Sequence, residues 1–175
     1  AVIKMLTLSR ERGEAREAVL SDLNIVPLVI SYEVDPCDAL KAAELAAGEG
    51  YVKAEFEDVS SIARGITGDK GCVHLHFGEP LPADLSVEEV VAALDQQMAR
   101  HYRLYQTNRW AWEWLHGESV PAALAFHEGS VTEQSFKARI DSAPSEHRQW
   151  LLTMYANPVS RQLALNITDK DRSCD

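Results

Sequence analysis

The chain of 175 residues carries 27 acidic and 17 basic side chains, a formal charge of −10. That balance argues against a general nucleic-acid binder, whose duplex affinity rests on cationic contacts to phosphate, and leaves room only for a local basic patch. A hydrophobic content of 46% is enough for the core of one domain, and no apolar run approaches the ~20 residues of a membrane-spanning helix.

In chain order, Val2 to Leu20 reads as a helix, with Val2, Ile3, Met5, Leu6 and Leu8 on its apolar side and alternating charge over Glu11 to Glu17. Asn24 to Tyr32 reads as a strand. Its run from Ile25 to Ile30 is continuously apolar, the pattern of a strand covered on both faces. Pro27 cannot donate a ladder hydrogen bond and belongs at an edge, a bulge or the strand's start. Asp35-Pro36 resembles an N-cap followed by proline in the first helical position. A helix follows over Ala39, Leu40, Ala43, Leu45 and Ala46, stopped by Gly48 and Gly50. Phe56 to Arg64 fits a short helix, Gly68 to Gly71 a turn, and Cys72 to Phe77 an alternating second strand ended by Gly78-Glu79-Pro80. Helices alternating with strands indicate an α/β unit.

After Pro82 the texture becomes helical. Ser86 with Glu89 forms a capping box, and Val87, Val90, Val91, Leu94, Met98, Tyr102 and Tyr105 keep helical spacing for five turns. Further helical pieces are predicted at Asn108–Leu115, Val120–Phe126, Thr132–Ile140, Glu146–Tyr155 and Val159–Leu165, with Ser130 and Glu133 as a second capping-box pair. Thr168 to Asp175 reads as a frayed polar tail. The domains expected are therefore 1–82, a partial α/β domain; 83–167, a helical extension; and 168–175, the tail.

The residue types of chemistry are present but not in the patterns of known sites. His74 and His76 share one face of a strand, yet no third ligand lies nearby, so no metal site is expected. His101, His116, His127 and His147 fall in helices or at their ends, without an H-E-x-x-H pair. No nucleophile elbow, phosphate loop or dinucleotide fingerprint occurs, and no cofactor is expected. Cys37, Cys72 and Cys174 lack the spacing of a disulfide framework or a zinc site and read as free thiols of a reducing compartment. Cys37 lies near a helix start, but the sequence gives it no base. Trp110, Trp112 and Trp114 alternate along a helix and cannot share one narrow stripe. Packing within the helical half is the favoured reading, and a membrane or partner contact the other.

Asn24-Ile25-Val26-Pro27-Leu28-Val29-Ile30 resembles the fourth conserved block of the glycerolipid acyltransferases, the 1-acylglycerol-3-phosphate and glycerol-3-phosphate acyltransferase family. That block is a buried strand with a V/I-P-V/I centre. Ser31-Tyr32-Glu33-Val34-Asp35-Pro36-Cys37-Asp38, Tyr51-Val52-Lys53, Glu57-Asp58, Ser61-Ile62 and Gly65 to Gly71 are similar to a bacterial branch of the family. Cys72 to Phe77 with Gly78-Glu79-Pro80-Leu81 looks like its closing strand. The resemblance covers residues 1 to about 82 and implies the C-terminal part of an acyltransferase α/β sheet fold followed by an α-helical extension.

The resemblance also implies a fatty acyl transfer from acyl-CoA or acyl-carrier protein to the hydroxyl of a lysophospholipid or glycerol phosphate. It places Val26, Pro27 and Leu28 in the wall of the acyl groove. The family's catalytic motif is H-x-x-x-x-D, a histidine base oriented by an aspartate. None of the six histidines has an aspartate five residues on, and the family's glycine-and-arginine block is missing too. Both precede, in the family, the helix that opens this sequence, and Ala1 is read as lying inside a longer protein. No catalytic residue is therefore expected here, and this chain by itself is expected to be inactive. The implied location is the cytoplasm, or peripherally the inner face of the cytoplasmic membrane. The rival expectation is a non-catalytic helical module that binds a protein partner or a membrane surface.

Overall fold

The structure, a computed structural model, describes residues 2–8, 12–13 and 15–166. The expected tail 168–175 and Cys174 lie outside them. The described chain is mixed α and β, and mostly helical. Its elements are α1 (Val2–Leu6), α2 (Arg16–Asp22), β1 (Leu28–Tyr32), α3 (Asp38–Ala47), α4 (Glu57–Thr67), β2 (Val73–Phe77), α5 (Val87–His101), α6 (Gln106–His116), α7 (Glu133–Ser142) and α8 (Ser145–Ala164). The single helix expected from Val2 to Leu20 is two short ones.

β1 and β2 form a two-stranded antiparallel ladder. Gly78 N–H donates to Pro27 O at 2.8 Å and Glu33 N–H to Cys72 O at 2.9 Å. This register sets Leu28 opposite Phe77 and Ile30 opposite Leu75. The expectation of a strand buried on both faces is corrected here. Val29 and Ser31 are buried, whereas Leu28 and Ile30 are 47% and 39% exposed. Only one face of the ladder is covered by the described chain, so the side-chain alternation of a strand becomes an alternation of burial despite the uniformly apolar sequence.

The chain forms two compact units, one of residues 1–30 and 75–102 and the other of 31–74 and 103–175. Compactness thus divides the chain discontinuously rather than at the change of texture near residue 82. In the first unit Leu20, Val87 and Val90 form a small core with Ile3, Ile25, Leu81, Leu85 and Leu94 around it. Ser86 and Glu89 make the expected capping box at the start of α5. Gln97 of α5 receives Glu79 N–H at 2.9 Å and donates to Glu79 O at 3.0 Å, which fastens the segment after β2 to the helix.

The second unit is a helical assembly in which α8 packs on α3, α6 and α7. Phe136, fully buried, is its centre. Trp110 and Trp114, four residues apart and so on one side of α6, lie 6.2 and 5.7 Å from the Phe136 ring, and Tyr155 meets that ring edge-on at 5.0 Å. Trp112, on another side, is buried and stacks on His116 at 4.2 Å. The alternate tryptophans thus divide between two surfaces, as packing within the unit requires.

Three other expectations are corrected. Val120–Phe126 is not helical. Its chain runs on to His127, which donates to Leu104 O at 2.8 Å and forms an isolated parallel bridge with Tyr105. The two pieces expected after residue 145 are one helix, α8, which continues through Pro158. An interior proline costs about 3 kcal/mol of helix stability, and burial of Tyr155, Ala156, Val159 and Gln162 around it outweighs that cost. The capping box near residue 130 is Thr132 with Ser135, not Ser130 with Glu133, because Ser130 is engaged elsewhere.

Candidate functional site

Two features of the resembling segment stand out. The first is the outward face of the ladder in the first unit. Leu28, Ile30, Leu75 and Phe77 stand in two opposed pairs, at 47%, 39%, 54% and 73% exposure, and Val26 just before β1 is exposed as well. Five apolar side chains on neighbouring strands make a contiguous water-facing patch, which a soluble surface does not gain by chance scatter. Behind it, on the opposite face, Val29 is buried and its partner position His76 stacks on His101 of α5 at 3.9 Å, with ring planes 6° apart. The ladder is therefore held rigidly from one side and bare on the other.

Of the three residues assigned to the groove wall, Val26 and Leu28 belong to the bare patch. Pro27 is buried. Its carbonyl accepts from Gly78, and its ring lies close against that glycine. Proline costs no ladder bond at this position, since it precedes β1.

The second feature is a pair of buried carboxylates in the second unit. Glu33, 1% exposed, accepts N–H bonds from Cys72 at 2.8 Å, Ser130 at 3.0 Å and Val131 at 2.8 Å, and the Ser130 hydroxyl at 3.0 Å. Burial pushes its carboxyl up, but these donors together outweigh it and the pKa is lowered. Gly71, at φ +59°, and Gly129 give the carboxylate its space, for a Cβ at either would overlap it. Glu33 so ties the end of β1 to the start of β2 and to the loop before α7. Its own carbonyl accepts from Thr107 Oγ1 at 2.7 Å.

Asp38, 2% exposed, opens α3 and accepts from Arg139 Nε at 2.6 Å, Arg139 Nη2 at 2.8 Å and the Tyr155 hydroxyl at 2.7 Å. Burial opposes the charge of Arg139, and the bonded Asp38 carboxylate overrides it, so the guanidinium pKa is raised. Burial, then the charge of Asp38, push the Tyr155 phenol far up, which fixes it as a donor. Asp35 is not the N-cap that the sequence suggests. It accepts from Cys37 N–H at 2.8 Å in a turn one step earlier, and Cys37 holds the cap position. The stretch Ser31 to Asp38 is thus a set of pins that orders the second unit.

A cleft of roughly 370 Å³ lies between α3 and α4, with Leu40, Ile62, Cys37 and Ser61 in its wall. Its lysines are engaged: Lys41 pairs with Asp35, Lys53 with Asp58, and Lys70 donates to Ile66 O and Gly68 O at the end of α4. The Cys37 thiol donates to Ser61 O at 3.4 Å. Among the described residues no group of three or more His, Cys, Asp or Glu is placed to hold a metal, and no helix is long and apolar enough to cross a membrane.

Sequence reasoning missed the roles of Glu33, Asp38, Arg139 and Tyr155. An acid directly after an apolar strand was the available signal. Its partners lie 39 to 98 residues away, so no local spacing reveals them. Comparison with family models, curated proteins and solved structures returned no match.

Proposed function

We propose that this chain is the C-terminal part of a bacterial glycerolipid acyltransferase, with the bare ladder face as a wall of the groove for the acyl chain. The observation that supports the reading is the opposed pairs Leu28–Phe77 and Ile30–Leu75, exposed on a ladder secured from behind. A saturated acyl chain is recognised by apolar area alone, and a flat apolar wall on rigid strands meets that requirement. The patch coincides with the segment whose sequence resembles the family, and it includes two of the three residues that the resemblance puts in the groove.

In this reading the acyl group moves from acyl-CoA or acyl-carrier protein to a lysophospholipid or glycerol phosphate hydroxyl. The base that takes the hydroxyl proton is supplied by sequence outside the 175 residues, since none of these histidines carries the H-x-x-x-x-D aspartate. Val26, Leu28, Ile30, Leu75 and Phe77 hold the acyl chain, and Glu33 and Asp38 keep the scaffold rigid. The inward packing of Trp112 takes away the aromatic surface that motivated a membrane- or partner-binding module; what still favours that alternative is the exposed apolar row Val59, Ile62 and Ile66 on α4, with Phe56 before it.

The test is acyl transfer by the complete reading frame that encodes these residues, assayed with acyl-CoA and acyl-carrier protein donors against lysophosphatidic acid and glycerol 3-phosphate. Transfer that falls in Leu28→Asp and Phe77→Asp without loss of folding supports the reading. Transfer indifferent to both substitutions removes the groove wall, and no transfer from any donor removes the proposal.

A further inference from the structure

We propose that a second cleft, of roughly 390 Å³ and wholly within the second unit, binds a phosphate monoester. Its lining brings together Arg64 from α4, Arg139 from α7 and His147 from α8. On a chain with a formal charge of −10, this lining sets two arginines and a histidine from three helices against one carboxylate. Among the described residues Asp38 is the only carboxylate in the lining, and it is already consumed: it is 2% exposed and bonded by Arg139 and Tyr155.

The three basic groups are not equivalent. Arg139 is held in place by Asp38 and by Asp35 O at 3.0 Å, which take its Nε and Nη2 hydrogens, while its side chain keeps 36% of its surface open, so it offers a pre-oriented Nη1. Arg64 is exposed and, among the described residues, makes no ion pair; it is the group whose charge is left for a ligand. His147 sits half-buried in the first turn of α8, where the amide dipoles add to the positive potential. A planar guanidinium prefers phosphate oxygens, to which it can donate two parallel bonds. The volume exceeds that of bare phosphate and admits a small ester or a lipid headgroup. The site is distinct from the ladder face, and the proposal does not depend on the acyltransferase reading.

The experiment is a titration of the folded chain at low ionic strength, followed by amide chemical shifts. Three probes are used: inorganic phosphate, glycerol 3-phosphate, and phosphatidylcholine vesicles with and without phosphatidic acid. The variants are Arg64→Gln and His147→Gln, neither of which breaks the Asp38–Arg139 pair, and both are checked by thermal melting. Saturable shifts at residues 139–147, with affinity lowered roughly tenfold or more in Arg64→Gln, are expected, as for loss of one charged donor. Binding of the soluble probes assigns a free phosphate ester, and binding only to phosphatidic acid vesicles assigns a headgroup. Absence of saturable binding to every probe, or binding that Arg64→Gln and His147→Gln leave unchanged, overturns the proposal.

Discussion

Replacing Glu33 by alanine removes the acceptor shared by four donors, three of them backbone N–H groups of Cys72, Ser130 and Val131. A buried donor left without a partner costs about 1–3 kcal/mol. The sum is limited because the loop carrying Ser130 and Val131 can swing toward water once released. About 3–5 kcal/mol is therefore expected, less than four unsatisfied donors would sum to. In a chain this size that lowers the melting temperature by roughly 10 °C. Thermal and urea unfolding give the magnitude, and hydrogen exchange gives the location, with Ser130 and Val131 amides losing protection before those of α8. Glu33→Gln should fall between, since one amide oxygen still accepts while its NH₂ confronts donors. A melting temperature within about 2 °C of the parent, with Val131 still protected, would refute the reasoning.

Because the Glu33 carboxyl is lowered from 4.5, its contribution is fully present above that unfolded value and is lost as pH falls through the lower folded one; acid unfolding profiles should show this limb, and it should flatten in Glu33→Gln. Val29→Asp and Ile30→Asp are adjacent but differ in burial, 2% against 39% exposed. The first should cost several kcal/mol and the second less than about 1 in denaturant melts. Trp112→Ala should cost about 3–5 kcal/mol and leave binding to anionic vesicles unchanged, which a flotation assay beside a thermal melt would check. Gly129→Ala should destabilise without removing any hydrogen-bonding group, because its Cβ displaces the Glu33 carboxylate; a melt matching the parent would show that the loop is not fastened there.

Elements with strong local signals were legible in the sequence. Ser86 and Glu89 name their own capping box, and α3, α4, α6 and α7 lie within a few residues of their expected positions. What failed is what depends on neighbours. The run Val26 to Ile30 does not record how many of its faces are covered, because composition cannot encode a missing layer. Pro158 reads as a helix end, yet the burial of residues on both sides of it carries α8 through. The stretch Val120–Phe126 has helical composition, but Pro121 lies inside it, and beyond it the chain must bring Ser130 and Val131 to Glu33. The ladder patch was half legible: Val26 and Leu28 were named, while Leu75 and Phe77 join them only through the antiparallel register.

The central claim is that the bare ladder face holds an acyl chain during transfer. The most direct measurement is the acyl-length profile of transfer by the complete protein, with Leu28→Trp set against the parent. Filling the wall at Leu28 should shift preference to shorter chains while transfer of the shortest donor is kept, because the groove narrows and the chemistry lies elsewhere. A profile unchanged by Leu28→Trp, or a complete protein that transfers no acyl group, would contradict the account.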